Sequence, residues 1–159
     1  RGLDLGPINL QPSELAKLVS VLVVAWWMTR VQRRAADLKV GLLVPGAVDI
    51  ELAWDQALTQ QHGFLHAGMV ATALDSACGY AGFSLMPADA AVLTIEFKIN
   101  LLAPAKGQRF RMEGRVLKPG RTITVSQGRA FALDGDQEKL VATMDCTLMA
   151  VQGRDGLRG

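Results

Sequence analysis

From Lys39 onward the chain reads as strands interrupted once by a helix. In "AVDIELAW", Val48, Ile50, Leu52 and Trp54 fall on one face and Asp49 and Glu51 on the other, a period of two that predicts a half-buried strand after a Pro45-Gly46 turn. "LTIEFKIN" sets Leu93, Ile95, Phe97 and Ile99 against Thr94, Glu96, Lys98 and Asn100, and "RFRMEGRV" sets Phe110, Met112 and Val116 against Arg109, Arg111, Glu113 and Arg115. "TITVSQGRAFAL" and "KLVATMDCTLMAV" follow, after turns at Lys118-Pro119-Gly120-Arg121 and Asp134-Gly135-Asp136, so the last three strands should form an antiparallel meander. Between the first strand and the other four, Met69 to Phe83 is apolar or small at nearly every position, as a helix surrounded by other elements requires. One strand, one helix and four strands, with no second helix, exclude a doubly wound parallel sheet. The pattern predicts an α+β fold: one antiparallel sheet wrapped around a long central helix.

Residues 1–38 follow another pattern, that of a helical extension, with a helix expected from about Ser13 to Asp37. Its apolar run "LVSVLVVAWWM", Leu18 to Met28, is far shorter than the roughly 20 residues that span a bilayer. It ends in "TRVQRR" and not in a small-residue cleavage site, unlike a signal peptide. "LGPINLQPSELAKLVSVLVVAWWM" resembles a segment of the polytopic cell-wall glycosyltransferases of the shape, elongation, division and sporulation family. The likeness covers about thirty residues and none of that family's other spans. No activity follows from it. The sheet-and-helix domain is expected over 39–151, and residues 152–159 as a flexible tail.

Composition narrows the function. Seventeen basic and 15 acidic residues, spread along 159, leave a net charge of +2 and no basic stripe for nucleic acid. Cys78 and Cys146 both lie in apolar stretches and read as reduced, core-filling thiols of a cytoplasmic protein. His62 and His66 stand four apart, but Gly63 occupies the place of the glutamate in a zinc-binding HExxH, so no metal is expected.

One residue disturbs the apolar helix. Asp75 shares a stripe with Gly68, Thr72, Ser76 and Gly79, while Val70, Ala73, Leu74, Ala77 and Cys78 cover the other faces. An unpartnered carboxylate in a core costs several kcal/mol. The stripe should therefore face a cleft or a subunit interface. At the helix start, His66-Ala67-Gly68 offers unpaired backbone N–H groups at the positive end of the helix dipole, a ready oxyanion site. Ala67 and Asp75 lie eight residues apart, about 12 Å of rise at roughly 1.5 Å per residue. Both groups can act on one carbonyl only if the acid comes from a second copy of the chain.

"QQHGFLHAGMVATALDSACGYA", "LTIEFKINLLAPAKGQ" and "GRTITV" together resemble the hotdog-fold acyl-CoA thioesterases, in particular the branch named after the phenylacetate-pathway enzyme, over about residues 41–151. That resemblance implies a hotdog fold, hydrolysis of acyl-CoA thioesters, and a homodimer or dimer of dimers. It needs no cofactor, coenzyme A being part of the substrate, and involves neither nucleic acid nor membrane. His66, Ala67 and Gly68 take the positions of the family's His-Gly-Gly, with Ala67 departing from glycine, and Asp75 takes the acid's position eight residues on. Gln60 stands where the family places an Asn or Gln beside the substrate carbonyl or attacking water. Asp75, Ala67 and Gln60 are thus the catalytic candidates, with Asp75 either base or nucleophile. His66, Gly68, Thr72, Ser76, Lys98, Asn100 and Arg121 are the substrate-binding candidates, the cations among them as partners for coenzyme A phosphates. Other classes are a hotdog dehydratase or isomerase, which would need a His and acid pair placed otherwise, and a non-catalytic acyl-CoA-binding hotdog module, whose mark would be a missing acid.

Overall fold

The computed structural model describes residues 3–4, 9–10 and 39–153, with side chains from Val44 onward. The chain divides into two compact units, Arg1–Ala36 and Asp37–Gly159. In the first, Leu3–Asp4 pairs antiparallel with Asn9–Leu10; the helix expected from Ser13 to Asp37 lies outside the described residues. Among the described residues no helix is long and apolar enough to cross a membrane.

The second unit is one six-stranded sheet and one long helix. In chain order its elements are β1 (Lys39–Val44), β2 (Ala47–Ala53), α1 (Ala67–Phe83), β3 (Ala91–Leu101), β4 (Arg109–Lys118), β5 (Ile123–Asp134) and β6 (Gln137–Val151). The sheet order is β1-β2-β4-β5-β6-β3, with every neighbouring pair antiparallel. The predicted meander is β4-β5-β6. The sheet has one strand more than the alternation predicts: β1, "KVGLLV", is nearly continuous in apolar character and returns through a turn at Gly46, whose φ of 84° suits glycine.

Helix α1 lies on the inner face. Val48, Ile50 and Leu52 of β2, Phe110 and Met112 of β4, and Met144, Cys146 and Leu148 of β6 are buried with Met69, Val70, Ala73, Leu74, Ala77 and Cys78 of the helix. Each large apolar side chain so buried contributes about 1.5–3 kcal/mol. Close approach of helix to sheet depends on Gly114 in β4: a Cβ there would fall 2.2 Å from the carbonyl oxygen of Ala77. Trp54, expected to continue the inner face of β2, lies beyond the strand end and is 45% exposed.

The outer face is a charged lattice. Arg111 bonds the carboxylates of Glu113 and Glu138 and lies 4.6 Å over the ring of Phe131, with Arg129 at 5.1 Å. Phe131 is therefore buried although it belongs to the solvent side of β5. Arg109 pairs with Glu51 at 3.8 Å and Arg115 with Asp49 at 3.7 Å, so these arginines serve the sheet face. Asp49 Oδ1 is buried without a hydrogen bond. Burial raises the Asp49 carboxyl above the ordinary range, with Arg115 opposing. An acid with a raised folded-state pKa contributes stability below its unfolded pKa and loses it as pH rises through the folded value. Asp49→Asn should therefore melt at or above the parent temperature at pH 7, the gap closing below about pH 4; thermal melts at the two pH values check this.

Strand β3 forms an edge, paired among the described residues only with β6. Leu93, Ile95, Phe97 and Leu101 are all exposed on it. Its alternation is not the one predicted. Thr94 stands opposite Leu148 and Glu96 opposite Thr147, leaving Ile95 as an extra, unpaired residue. This bulge breaks the expected row of Leu93, Ile95, Phe97 and Ile99. Thr94 now shares the helix-facing side with Phe97, opposite Cys146, and with Ile99, opposite Met144.

Candidate active site

The segment before α1 is a tight turn. The N–H of Gln60 bonds the carbonyl of Phe64 and that of Gly63 bonds the carbonyl of Gln60, both at 2.9 Å, with Gly63 at φ 78°. The N–H of His62 donates to Gln60 Oε1 at 2.7 Å. That bond fixes the amide and leaves its NH2 as the remaining donor. His66 caps the helix: its Nδ1 accepts from the N–H of Gly68 at 3.0 Å, and its carbonyl accepts from the N–H groups of Met69 and Val70. The N–H of Ala67 is then the first-turn donor with no acceptor among the described residues. It opens on a pocket of about 440 Å³ that Gln60, Ala67, Phe64, Val70, Leu102 and Val141 help to line.

Asp75 lies two turns further along, half-buried, on the predicted stripe; Gly68, Thr72, Ser76 and Gly79 are likewise exposed or half-exposed. Its Oδ1 accepts from Thr94 Oγ1 at 2.8 Å and from the Cys146 thiol at 3.8 Å, while Oδ2 has no partner among the described residues. A second cleft, of about 420 Å³, is lined by Asp75, Thr94, Ile95, Glu96 and Phe97. Thr72 and Ser76 do not touch the acid: their hydroxyls donate to the carbonyls of Gly68 and Thr72, four residues back, at 2.8 and 2.9 Å. The residues that hold Asp75 are Thr94, which the strand pattern assigned to the outer face, and Cys146, expected only as a core-filling thiol. Cys78 and Cys146 are both free and buried. A hydrogen bond to Cys146 and burial push the Cys78 thiol far up, leaving it as an unreactive core group.

The other candidates lie elsewhere. Lys98, opposite Asp145, and Asn100, whose amide donates to Thr143 Oγ1 at 3.4 Å, point to the outer side of β3. Arg121 sits in the exposed turn between β4 and β5. None of the three lines the pocket at Ala67 or the cleft at Asp75.

What the arrangement can do is polarise a carbonyl at Ala67 and activate or supply an oxygen nucleophile at Asp75. Known proteins of similar sequence and fold point to hydrolysis of thioesters. The profile of the Thioesterase superfamily matches residues 62–139, from the turn before α1 into β6. A Saccharolobus solfataricus protein named as an esterase is 36% identical over 99 residues, 62% of this chain and 70% of that one. The crystal structure of a thioesterase family protein from Silicibacter pomeroyi matches at 50% identity with a TM-score of 0.72, covering 80% of this chain and 99% of that one. A phenylacetic acid degradation-related protein from Ralstonia eutropha shares the fold at 23% identity and a TM-score of 0.63, over 70% of this chain and 83% of that one. With the antiparallel sheet, the single long helix and the acid on its open stripe, these matches identify the chain as a hotdog-fold thioester hydrolase of the thioesterase superfamily.

Proposed function

We propose that the protein is an acyl-CoA thioesterase whose active site is completed by two subunits. The Ala67 N–H and the Gln60 amide of one chain receive the thioester carbonyl oxygen, and Asp75 of the other activates water or attacks the carbonyl carbon. Hydrolysis releases a free acid and coenzyme A. The observation that carries this reading is the separation of the two halves: Ala67 and Gln60 line one cavity and Asp75 lines another. Along the helix the two groups stand about 12 Å apart. A second copy supplies the missing half if two α1 helices lie antiparallel with their open stripes together. The exposed apolar edge of β3, beside Asp75, supports pairing of that kind, because an uncovered edge strand with exposed leucine, isoleucine and phenylalanine favours association. The assembly is then a homodimer, or a dimer of dimers.

Subunit exchange tests the shared site. Asp75→Asn and Ala67→Phe chains, each inactive alone, should recover activity when mixed, since one of the two sites in each heterodimer is intact. Absence of recovery after exchange has been verified by mass spectrometry, or an active monomer in analytical ultracentrifugation, would refute it.

A further inference from the structure

We propose that Cys146 is a positioning residue for hydrolysis: its thiol, donating to Oδ1 of Asp75, holds the carboxylate so that Oδ2 is the oxygen that meets water or the thioester carbonyl. The inference rests on the acyl-CoA reading above, in which Asp75 is the reacting acid. Two donors from two strands converge on one carboxylate oxygen: Thr94 Oγ1 of β3 lies 2.8 Å from Oδ1 and Cys146 Sγ of β6 lies 3.8 Å from it. A carboxylate held by one hydrogen bond can still swivel about that bond. A second donor, arriving from another direction, fixes its plane and leaves one oxygen for the reaction.

The two strands do not present their donors equally firmly. Thr94 stands on the edge strand, next to the unpaired Ile95, whereas Cys146 sits in a regular stretch of ladder, opposite Phe97 on one side and Ser126 on the other. The position of the sulfur is therefore set by pairing on both flanks. A thiol is a weak donor, but a charged acceptor in a site with little water strengthens its bond.

The surroundings direct the thiol hydrogen toward the acid. Cys146 and Cys78 are 1% and 0% exposed, so bulk water does not compete for it. Cys78 donates to the Cys146 sulfur and so takes up its accepting side. Ser126 Oγ, on the strand opposite, is buried without a hydrogen bond and does not draw the proton away. Asp75 Oδ1 is the acceptor in reach. The titratable groups around Asp75 are the two thiols and, at the rim of its cleft, Glu96, whose carboxylate accepts from Thr147 Oγ1 at 3.1 Å.

The test separates donation from packing. Cys146→Val fills the site and Cys146→Ala empties it, both without a donor, while Cys146→Ser keeps a donor on the same Cβ. A purely structural thiol ranks Val nearest the parent and the buried hydroxyl of Ser among the worst. A positioning thiol reverses that order. Val and Ala should each lose about fivefold in kcat with KM within about twofold, and Ser should stay within about twofold of the parent on both. A carboxylate that loses a donor ionises at higher pH, so the acid limb of kcat/KM should move up by about half a pH unit in Val and Ala and stay in place in Ser. Carbon-detected NMR titration of the Asp75 carboxyl reads the same shift without turnover. Unchanged kcat in both Val and Ala, a loss of kcat with the acid limb and the carboxyl titration unmoved, or Ser falling to the level of Val would each overturn the proposal. If the parent hydrolyses no acyl-CoA the acyl-CoA reading fails, and the carboxyl titration still decides whether the thiol holds Asp75.

Discussion

Asp75→Asn should lower kcat for thioester hydrolysis by at least about a hundredfold while leaving the fold unchanged. The substitution keeps the shape and one oxygen but removes the charge, and with it the capacity to accept a proton from water or to attack a carbonyl; a hundredfold is the low end of what general acid–base groups contribute. The protein should tolerate it. Thr94 can donate to an amide oxygen as it does to Oδ1, and the half-exposed stripe leaves the amide NH2 in reach of solvent. Thr94→Val, which removes the donor and leaves the acid, should cost less. Circular dichroism and initial rates on the purified variants decide the matter: an Asp75→Asn enzyme that is folded and retains more than about a tenth of the parent rate would move the essential carboxylate elsewhere.

Gly114→Ala should be among the most destabilising single methyl additions available in the domain. The new Cβ would fall 2.2 Å from the oxygen and 2.3 Å from the carbon of the Ala77 carbonyl, and 2.7 Å from the nitrogen of Cys78, all backbone atoms. No rotamer change relieves such a contact. Strand β4 cannot retreat either, because it is paired with β2 on one side and β5 on the other. Overpacking a core costs about 1–3 kcal/mol where side chains can yield, and more is expected where only backbone can move. At roughly 4–8 °C per kcal/mol for a domain slightly smaller than this one, the melting temperature should fall by about 10 °C or more. A loss of under about 3 °C in a scanning calorimeter would mean that helix and sheet are separated further than the structure has them.

The parts of this fold legible in the sequence are those where burial on one face writes itself directly into residue type. The alternations of β2 and β4 and the near-uniform helix were readable because water on one side and core on the other demand them. The open stripe around Asp75 followed from helical spacing, and the capping role of His66 is consistent with its place before Ala67. Strand β1 could not be delimited as a separate strand, since a continuous apolar run carries no period. Thr94 was hidden for another reason. Its place among alternating residues assigns it to the outer face, and it turns inward only because Ile95 is unpaired against β6, a fact about two strands that neither strand displays alone. Trp54 continues the period of β2 by one step, but β2 ends at Ala53 and the indole escapes the core. Thr72 stands three residues from Asp75, within reach on a helix face, yet its hydroxyl, like that of Ser76, finds an acceptor in its own helix.

The bulge at Ile95 ties the acid's setting to how β3 pairs with β6, and not to which residue stands at 95. Were Ile95 taken into the ladder opposite Leu148, the segment before it would turn over, carrying Thr94 away from Asp75 and bringing Ile95 into its place, whereas removing Ile95 would leave Thr94 opposite Leu148 and facing the helix. Point changes at Ile95 leave the spacing, and so the aim of Thr94, as it is. Among descendants of this sequence, residue identity at 95 is then free to drift, and a lineage that lost the position outright would keep Thr94 as the donor to its carboxylate.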